Sequence, residues 1–332
     1  MKEIGSEFWN VPLCEKNNIF FPKSTRWFLS GRVALSYILL DIKKISNVKT
    51  AWLPSWCCDS MIKPFYDNGI DVNFYSVYFD GQKLVQEVPK NAELILVLDY
   101  FGFCNDNDYS EYEGIVIRDL THSVFCKKYD DADYYFGSVR KWCGIWTGGF
   151  AWGDTLNYCN IEIQNPNQKY VEIRKTSMEE KKKYIDGKTH NKAFLESFSQ
   201  AEEILDEISD IEFASDRDIR IAGSIDVNLI KDTRRKNAEV LLKELGEIAI
   251  FNSLGEDDCP LFVPIFIKNR DIVRRELIDS SIYCPVHWPI SDLHRLNDKT
   301  KLIYQNEISI VCDQRYTVED MERIVEIIKK GV

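Results

Sequence analysis

The sequence predicts an α/β protein, with a mostly parallel, doubly wound sheet and a smaller C-terminal α+β domain. Three observations carry this. Short apolar runs at 51–54, 72–77, 94–99 and 114–119 alternate with stretches of helical character, the pattern of strands joined by crossover helices. The run Leu94-Ile95-Leu96-Val97-Leu98 is apolar at every position, as a parallel strand covered on both faces requires. From residue 165 onward the character changes, and the later strands, around 262–265 and 308–311, are fewer and separated by longer helical segments. We therefore expect a large α/β domain with an N-terminal arm over 1–212 and a small domain over 213–332.

Taken in order, residues 1–28 are aromatic and irregular, with Phe8-Trp9, Phe20-Phe21 and Trp27-Phe28. They are expected to form an arm packed over the body or over a second subunit. Leu29-Ser30-Gly31-Arg32-Val33-Ala34-Leu35 starts a helix with Val33, Tyr37 and Leu40 on its buried face. Backbone N–H groups at such a start form an anion site and Arg32 adds charge, although a plain N-cap at Ser30 explains the same residues. After the strand at 51–54, Ser55-Trp56-Cys57-Cys58-Asp59-Ser60 is a loop leading into a helix that ends near Gly69. Asp99 and Asp119 both close strands, which puts them at the edge where doubly wound sheets bind ligands. The charge run at 178–183 reads as a solvated helix face, and Phe194, Leu195, Phe198, Ala201 and Leu205 as a core stripe. Further helices are expected over 225–245 and from 318 to about 329.

Composition excludes several classes. A chain of 332 residues, 45% apolar, can bury a large core. Its net charge of −11 gives no counterion-release drive toward DNA or RNA. Ten cysteines are present, yet none falls in a CxxC or zinc-ligand spacing, so reduced, buried thiols and no metal are expected. No run is apolar for long enough to span a bilayer, and the N-terminus lacks a signal-peptide pattern; a cytoplasmic protein is expected.

The most distinctive chemistry lies in Tyr134-Tyr135-Phe136-Gly137-Ser138-Val139-Arg140-Lys141-Trp142, followed by Thr147-Gly148-Gly149-Phe150. A lysine between two buried strands is costly unless it is paired, deprotonated or covalently consumed. Upstream, an apolar strand ends in Asp119 and continues as Leu120-Thr121-His122-Ser123. Taken singly, Asp119 could cap the segment that follows it, and Lys141 could be a paired structural lysine.

Four segments in order make a more specific pattern: Leu29-Ser30-Gly31-Arg32-Val33-Ala34-Leu35, Leu53-Pro54-Ser55-Trp56-Cys57-Cys58, Ile117-Arg118-Asp119-Leu120-Thr121-His122-Ser123 and Gly137-Ser138-Val139-Arg140-Lys141. With them the chain resembles the DegT/DnrJ/StrS family of nucleotide-sugar aminotransferases, which have the fold-type I architecture of pyridoxal phosphate (PLP) enzymes. The resemblance is strongest over 28–153. It implies that Lys141 bonds covalently to PLP and then moves protons between substrate and cofactor. It implies that Asp119 pairs with the pyridinium nitrogen and that Ser138, with Ser30, Gly31 and Arg32, holds the phosphate. His122 falls where many relatives place a glutamine beside the ring, and Trp56 or Cys58 would lie against the ring face. Tyr100, His287 and Arg315 are the candidates for substrate contact, while His190 and His294 read as surface residues.

The resemblance also implies a keto-sugar substrate, nucleotide-linked, an amino-acid donor, a homodimer, and a place in surface polysaccharide or secondary-metabolite synthesis. There are departures from the family pattern. Phe136 stands where many relatives have the phosphate-binding serine, Arg140 precedes the lysine, and the Asn-Tyr-Arg segment of a neighbouring subunit is not apparent. The alternatives are a PLP lyase or dehydratase, a branch that replaces the lysine with histidine, and a non-catalytic binding or regulatory protein of the same fold.

Overall fold

A computed structural model describes residues 3–15, 20–105, 107–153, 156 and 163–331. Of the expected N-terminal arm, residues 1–2 and 16–19 lie outside the described residues, as does Cys159. The chain folds into two compact units, each assembled from separated stretches: Met1–Ser6, Ser46–Asp133 and Val227–Val332 in one, Glu7–Ile45 and Tyr134–Asp226 in the other.

The first unit holds the parallel strands. Asp71–Tyr75, Thr50–Pro54, Leu94–Leu98 and Ile115–Asp119 lie side by side in that order, all parallel. Leu94–Leu98 is buried at all five positions, as its unbroken apolar run requires. Helix Asp59–Asp67 packs on Asp71–Tyr75. The C-terminal stretch adds the antiparallel pair Phe262–Phe266 and Glu307–Val311, backed by helices Val227–Leu245, Arg270–Asp279, Asp298–Asn306 and Val318–Gly331. Ile4–Gly5 pairs in parallel with Ile282–Tyr283. The expected α/β class with a mostly parallel sheet is therefore what this chain adopts.

The second unit is an antiparallel sheet of Arg26–Phe28, Gly149–Trp152 and Tyr134–Ser138, covered by helix Gly31–Ile45. Helices Gln168–Ile185 and Phe194–Glu207 pack on each other. Arm residues 7–15 and 20–28 belong here. Gly144 N–H donates to Asn10 O at 2.8 Å, and Lys181 Nζ donates to Glu7 O at 2.6 Å.

Local readings need correction at several residues. Leu195 is exposed, so the stripe is Phe194, Phe198, Ala201 and Leu205. Val33 and Tyr37 are buried as expected, but Leu40 is only half-buried, and Leu39 takes its place in the core. In the charge run Lys181 is 2% exposed, because the arm supplies its acceptor and Trp9 lies under its ammonium at 5.2 Å. His294 is buried rather than on the surface, with Nε2 at 3.0 Å from Cys57 O. Nine cysteines among the described residues are free thiols, six of them buried. No described helix is long and apolar enough to cross a membrane.

Candidate active site

In the second unit, strand Tyr134–Ser138 runs into a single tight turn, Val139–Lys141. Gly149, on the neighbouring strand, lies against the start of helix Gly31–Ile45 so closely that a Cβ there would sit 2.0 Å from Ser30 O. A Cβ on Gly31 would meet Gly137 O at 3.3 Å. Glycine at these positions lets three stretches of backbone converge on the helix N-terminus. Ser30 Oγ accepts the N–H of Val33 at 3.3 Å, so Ser30 does cap the helix. Ser138 differs. Its Oγ is buried with no hydrogen-bond partner among the described residues, and such an atom in a folded protein calls for an explanation.

Arg32 turns away toward the end of helix Phe194–Glu207, donating to Leu205 O at 3.2 Å and Asp206 Oδ1 at 2.6 Å. Lys141 corrects the sequence reading: it is exposed rather than buried, because the turn carries it out of the strand pair. Arg140 takes the buried position instead, donating to Glu202 Oε1 at 2.8 Å and Tyr170 Oη at 3.1 Å. Arg174 donates to Glu7 Oε2 at 2.8 Å. Burial pushes Glu202 up, but Arg140, with Lys141 and Arg174, more than reverses this and holds the carboxyl at about 2. Burial raises Glu7 too, and Arg174 chiefly brings it below the usual carboxylate range. Sequence alone did not find this cluster, since its members are far apart in the chain.

In the first unit, Asp119 ends a strand and is 5% exposed. Burial pushes its carboxyl up to about 6, against hydrogen bonds from the Thr121 side chain and backbone; the N–H of Thr121 lies 2.7 Å from Oδ1. Among the described residues no cation pairs with it. Its neighbour in register, Leu98, is followed by Asp99, which by contrast pairs with the buried Arg118 at 3.4 Å.

His122 is buried, accepts the N–H of Phe101 at Nδ1 (3.3 Å) and stacks on Trp288, with ring centroids 5.5 Å apart. Trp56 is fully buried, stacked on Tyr100 at 4.8 Å and donating Nε1–H to His287 O at 2.7 Å. Tyr100 Oη donates to Trp56 O at 2.6 Å, so both rings serve the packing around the loop. Cys58 is half-buried at the start of helix Asp59–Asp67, its Sγ 2.9 Å from Ser60 Oγ.

His287 is half-buried, its ring 6.0 Å from that of His122. Arg315 forks onto Asp313, with Nε and Nη2 donating at 2.8 and 2.7 Å, and both side chains are only 5% exposed. The sequence reading missed Glu307, which is fully buried beside His287.

Among solved structures, the chain is similar to a DegT DnrJ EryC1 StrS aminotransferase from Brucella abortus at 13% identity, with 92% of this chain and 85% of that one covered and a TM-score of 0.62. It is also similar to Helicobacter pylori PseC, an aminotransferase involved in the biosynthesis of pseudoaminic acid (12% identity, 98% and 99% covered, TM-score 0.63). The chain has the fold of the sugar aminotransferases. That fold is shared by the E. coli GDP-4-keto-6-deoxy-D-mannose-3-dehydratase with bound hydrated PLP, similar at 12% identity over 92% of this chain and 87% of that one, with a TM-score of 0.59. No family model and no curated protein matches the sequence.

Proposed function

We propose that this chain is a PLP-dependent aminotransferase that moves an amino group from an amino acid to a keto sugar, nucleotide-linked, for surface polysaccharide or secondary-metabolite synthesis. The observation that carries the reading is Asp119: a buried acid at the carboxyl end of a parallel strand, in a chain of this fold, with no cation paired to it among the described residues. A protonated pyridine nitrogen is the partner such a carboxylate lacks. Ser138 adds support, since its buried hydroxyl has no partner among the described residues and suits a phosphate oxygen.

PLP, when bound, supplies the electron sink for breaking a C–H bond next to nitrogen. The chain's own residues supply the rest. Asp119 would hold a proton on the ring nitrogen by charge. Ser138 Oγ and the backbone N–H groups at the start of helix Gly31–Ile45 would hold the phosphate, with Ser30 orienting that start. Arg32 contributes through its backbone, its guanidinium being held by Asp206. Lys141 would anchor the cofactor, and its amine would move the proton from and back to the substrate carbon. His122 would lie beside the ring. Cys58 rather than Trp56 would serve at the ring face, because Trp56 is engaged by Tyr100 and His287.

A homodimer, a cytoplasmic location and the division into 1–212 and 213–332 belong to the same proposal. Lys141 disfavours the dehydratase reading, since that branch of the resembling family uses histidine there. The test is transfer itself. PLP-loaded protein given a 15N-labelled amino-acid donor and candidate keto-sugar nucleotides should yield an amino sugar carrying the label, read by product mass. Fully loaded protein that forms keto acid from no donor and labels no sugar would contradict the reading.

A further inference from the structure

In the first unit a chain of hydrogen bonds leads from a fully buried carboxyl to a half-buried imidazole. Glu307 begins strand Glu307–Val311; its Oε2 accepts the backbone N–H of His287 at 2.9 Å, and its Oε1 is hydrogen-bonded to Ser309 Oγ. Ser309 Oγ lies 2.8 Å from His287 Nδ1. The His287 ring stands among aromatic rings: Phe101 at 5.2 Å, Phe262 at 5.3 Å, Trp288 at 5.2 Å and His122 at 6.0 Å. A glutamate at 0% exposure is costly and rarely kept for packing alone.

Ser309 has a single O–H, which can point only one way at a time. With Glu307 ionised, the hydroxyl donates to the carboxylate and its oxygen accepts a proton from Nδ1 of His287. With Glu307 neutral, the carboxyl donates to Ser309, Ser309 donates to Nδ1, and the ring proton must sit on Nε2. One proton at Glu307 therefore reverses the imidazole.

We propose that Glu307 and Ser309 are positioning residues that set which nitrogen of His287 carries the proton. His287 thereby becomes a second proton-handling group of the site, beside His122, for a hydroxyl or carbonyl of the sugar. The role rests on the aminotransferase reading; the hydrogen-bond relay does not.

The surroundings place the change near neutral pH. Burial pushes Glu307 up to about 8, against Ser309, the His287 N–H and Arg270. Arg270, from helix Arg270–Asp279, donates to the backbone oxygen of Glu307 at 3.1 Å, while the Cys284 thiol on the same side is pushed up to about 12 by burial. The paired strand Phe262–Phe266 contributes no titratable side chain, and helix Asp298–Asn306 contributes Tyr304, raised by burial.

The experiment follows the imidazole 15N signals of His287, assigned by their loss in His287→Gln, in cofactor-free protein between pH 6.5 and 9.5. The wild type should pass from Nε2–H to Nδ1–H around pH 8. Glu307→Gln, whose amide donates to Ser309 while its oxygen receives the His287 N–H, should hold Nε2–H across the range. Ser309→Ala should uncouple the ring from Glu307 and abolish the step. The same tautomer at every pH in all three proteins overturns the proposal, and if Glu307→Gln fails to fold, an unchanged step in Ser309→Ala overturns it alone. The readout needs neither PLP nor sugar, so a protein that never transaminates yet shows the step would sink the functional reading and leave the relay standing.

Discussion

Replacing Asp119 with asparagine should stabilise the cofactor-free protein while loosening its grip on PLP. Burial raises the carboxyl from 3.8 to about 6. At about 1.4 kcal/mol per pKa unit, the ionised side chain costs the folded protein about 3 kcal/mol. Because folding raises this pKa, the native chain keeps the proton over a range where the unfolded chain has lost it. Stability from this group therefore falls as pH rises from about 4 to about 6 and is level above that. Asparagine keeps an oxygen to accept the Thr121 N–H, now 2.7 Å away, and carries no charge. Urea unfolding of the cofactor-free variant should show a gain of roughly 2–3 kcal/mol at pH 7.5 and almost none at pH 3.5. In the role proposed for Asp119 the same substitution would also remove a charge-assisted hydrogen bond to the cofactor, worth about 1.5–3 kcal/mol, so PLP should bind roughly tenfold to a hundredfold more weakly. Equal gains at both pH values, or a loss at pH 7.5, would refute the account of Asp119 as a buried acid awaiting a cationic partner.

Ser138→Ala should weaken PLP binding roughly tenfold while changing unfolding free energy by less than about 0.5 kcal/mol, because the hydroxyl has no partner among the described residues. Fluorescence titration with PLP and urea melts of the same sample check both halves, and a stability loss with unchanged affinity would make Ser138 structural. Gly149→Ala should cost more than about 3 kcal/mol, as overpacking against fixed backbone does. Its Cβ would overlap Ser30 O; a thermal melt within a few degrees of wild type would show that the helix start is not held there.

Much of the fold is legible in the sequence because its strands are fully buried and say so. Leu94–Leu98 needs no tertiary information to be read as a covered strand. Ser30 reads as a helix start and is one. The failures share a cause, which is that burial of a charged residue depends on partners far along the chain. Lys141 and Arg140 are adjacent, and nothing local says that the arginine turns inward; Glu202, 62 residues away, decides it. Lys181 looks like one more lysine in a charged helix until Glu7 and Trp9 of the arm cover it. Glu307 precedes an apolar alternation and reads as a strand boundary, whereas His287 and Ser309 draw it inside. Arg315 reads as an available cation, but Asp313 two residues before it occupies its guanidinium.

The central claim is that this chain holds PLP through Lys141. Borohydride reduction of the PLP-loaded protein, followed by proteolysis and peptide mass mapping, tests it most directly. The account predicts the added pyridoxyl mass on the peptide containing Lys141, and its loss in Lys141→Ala. The mass on any other lysine peptide, or on none in cofactor-saturated protein, would contradict it.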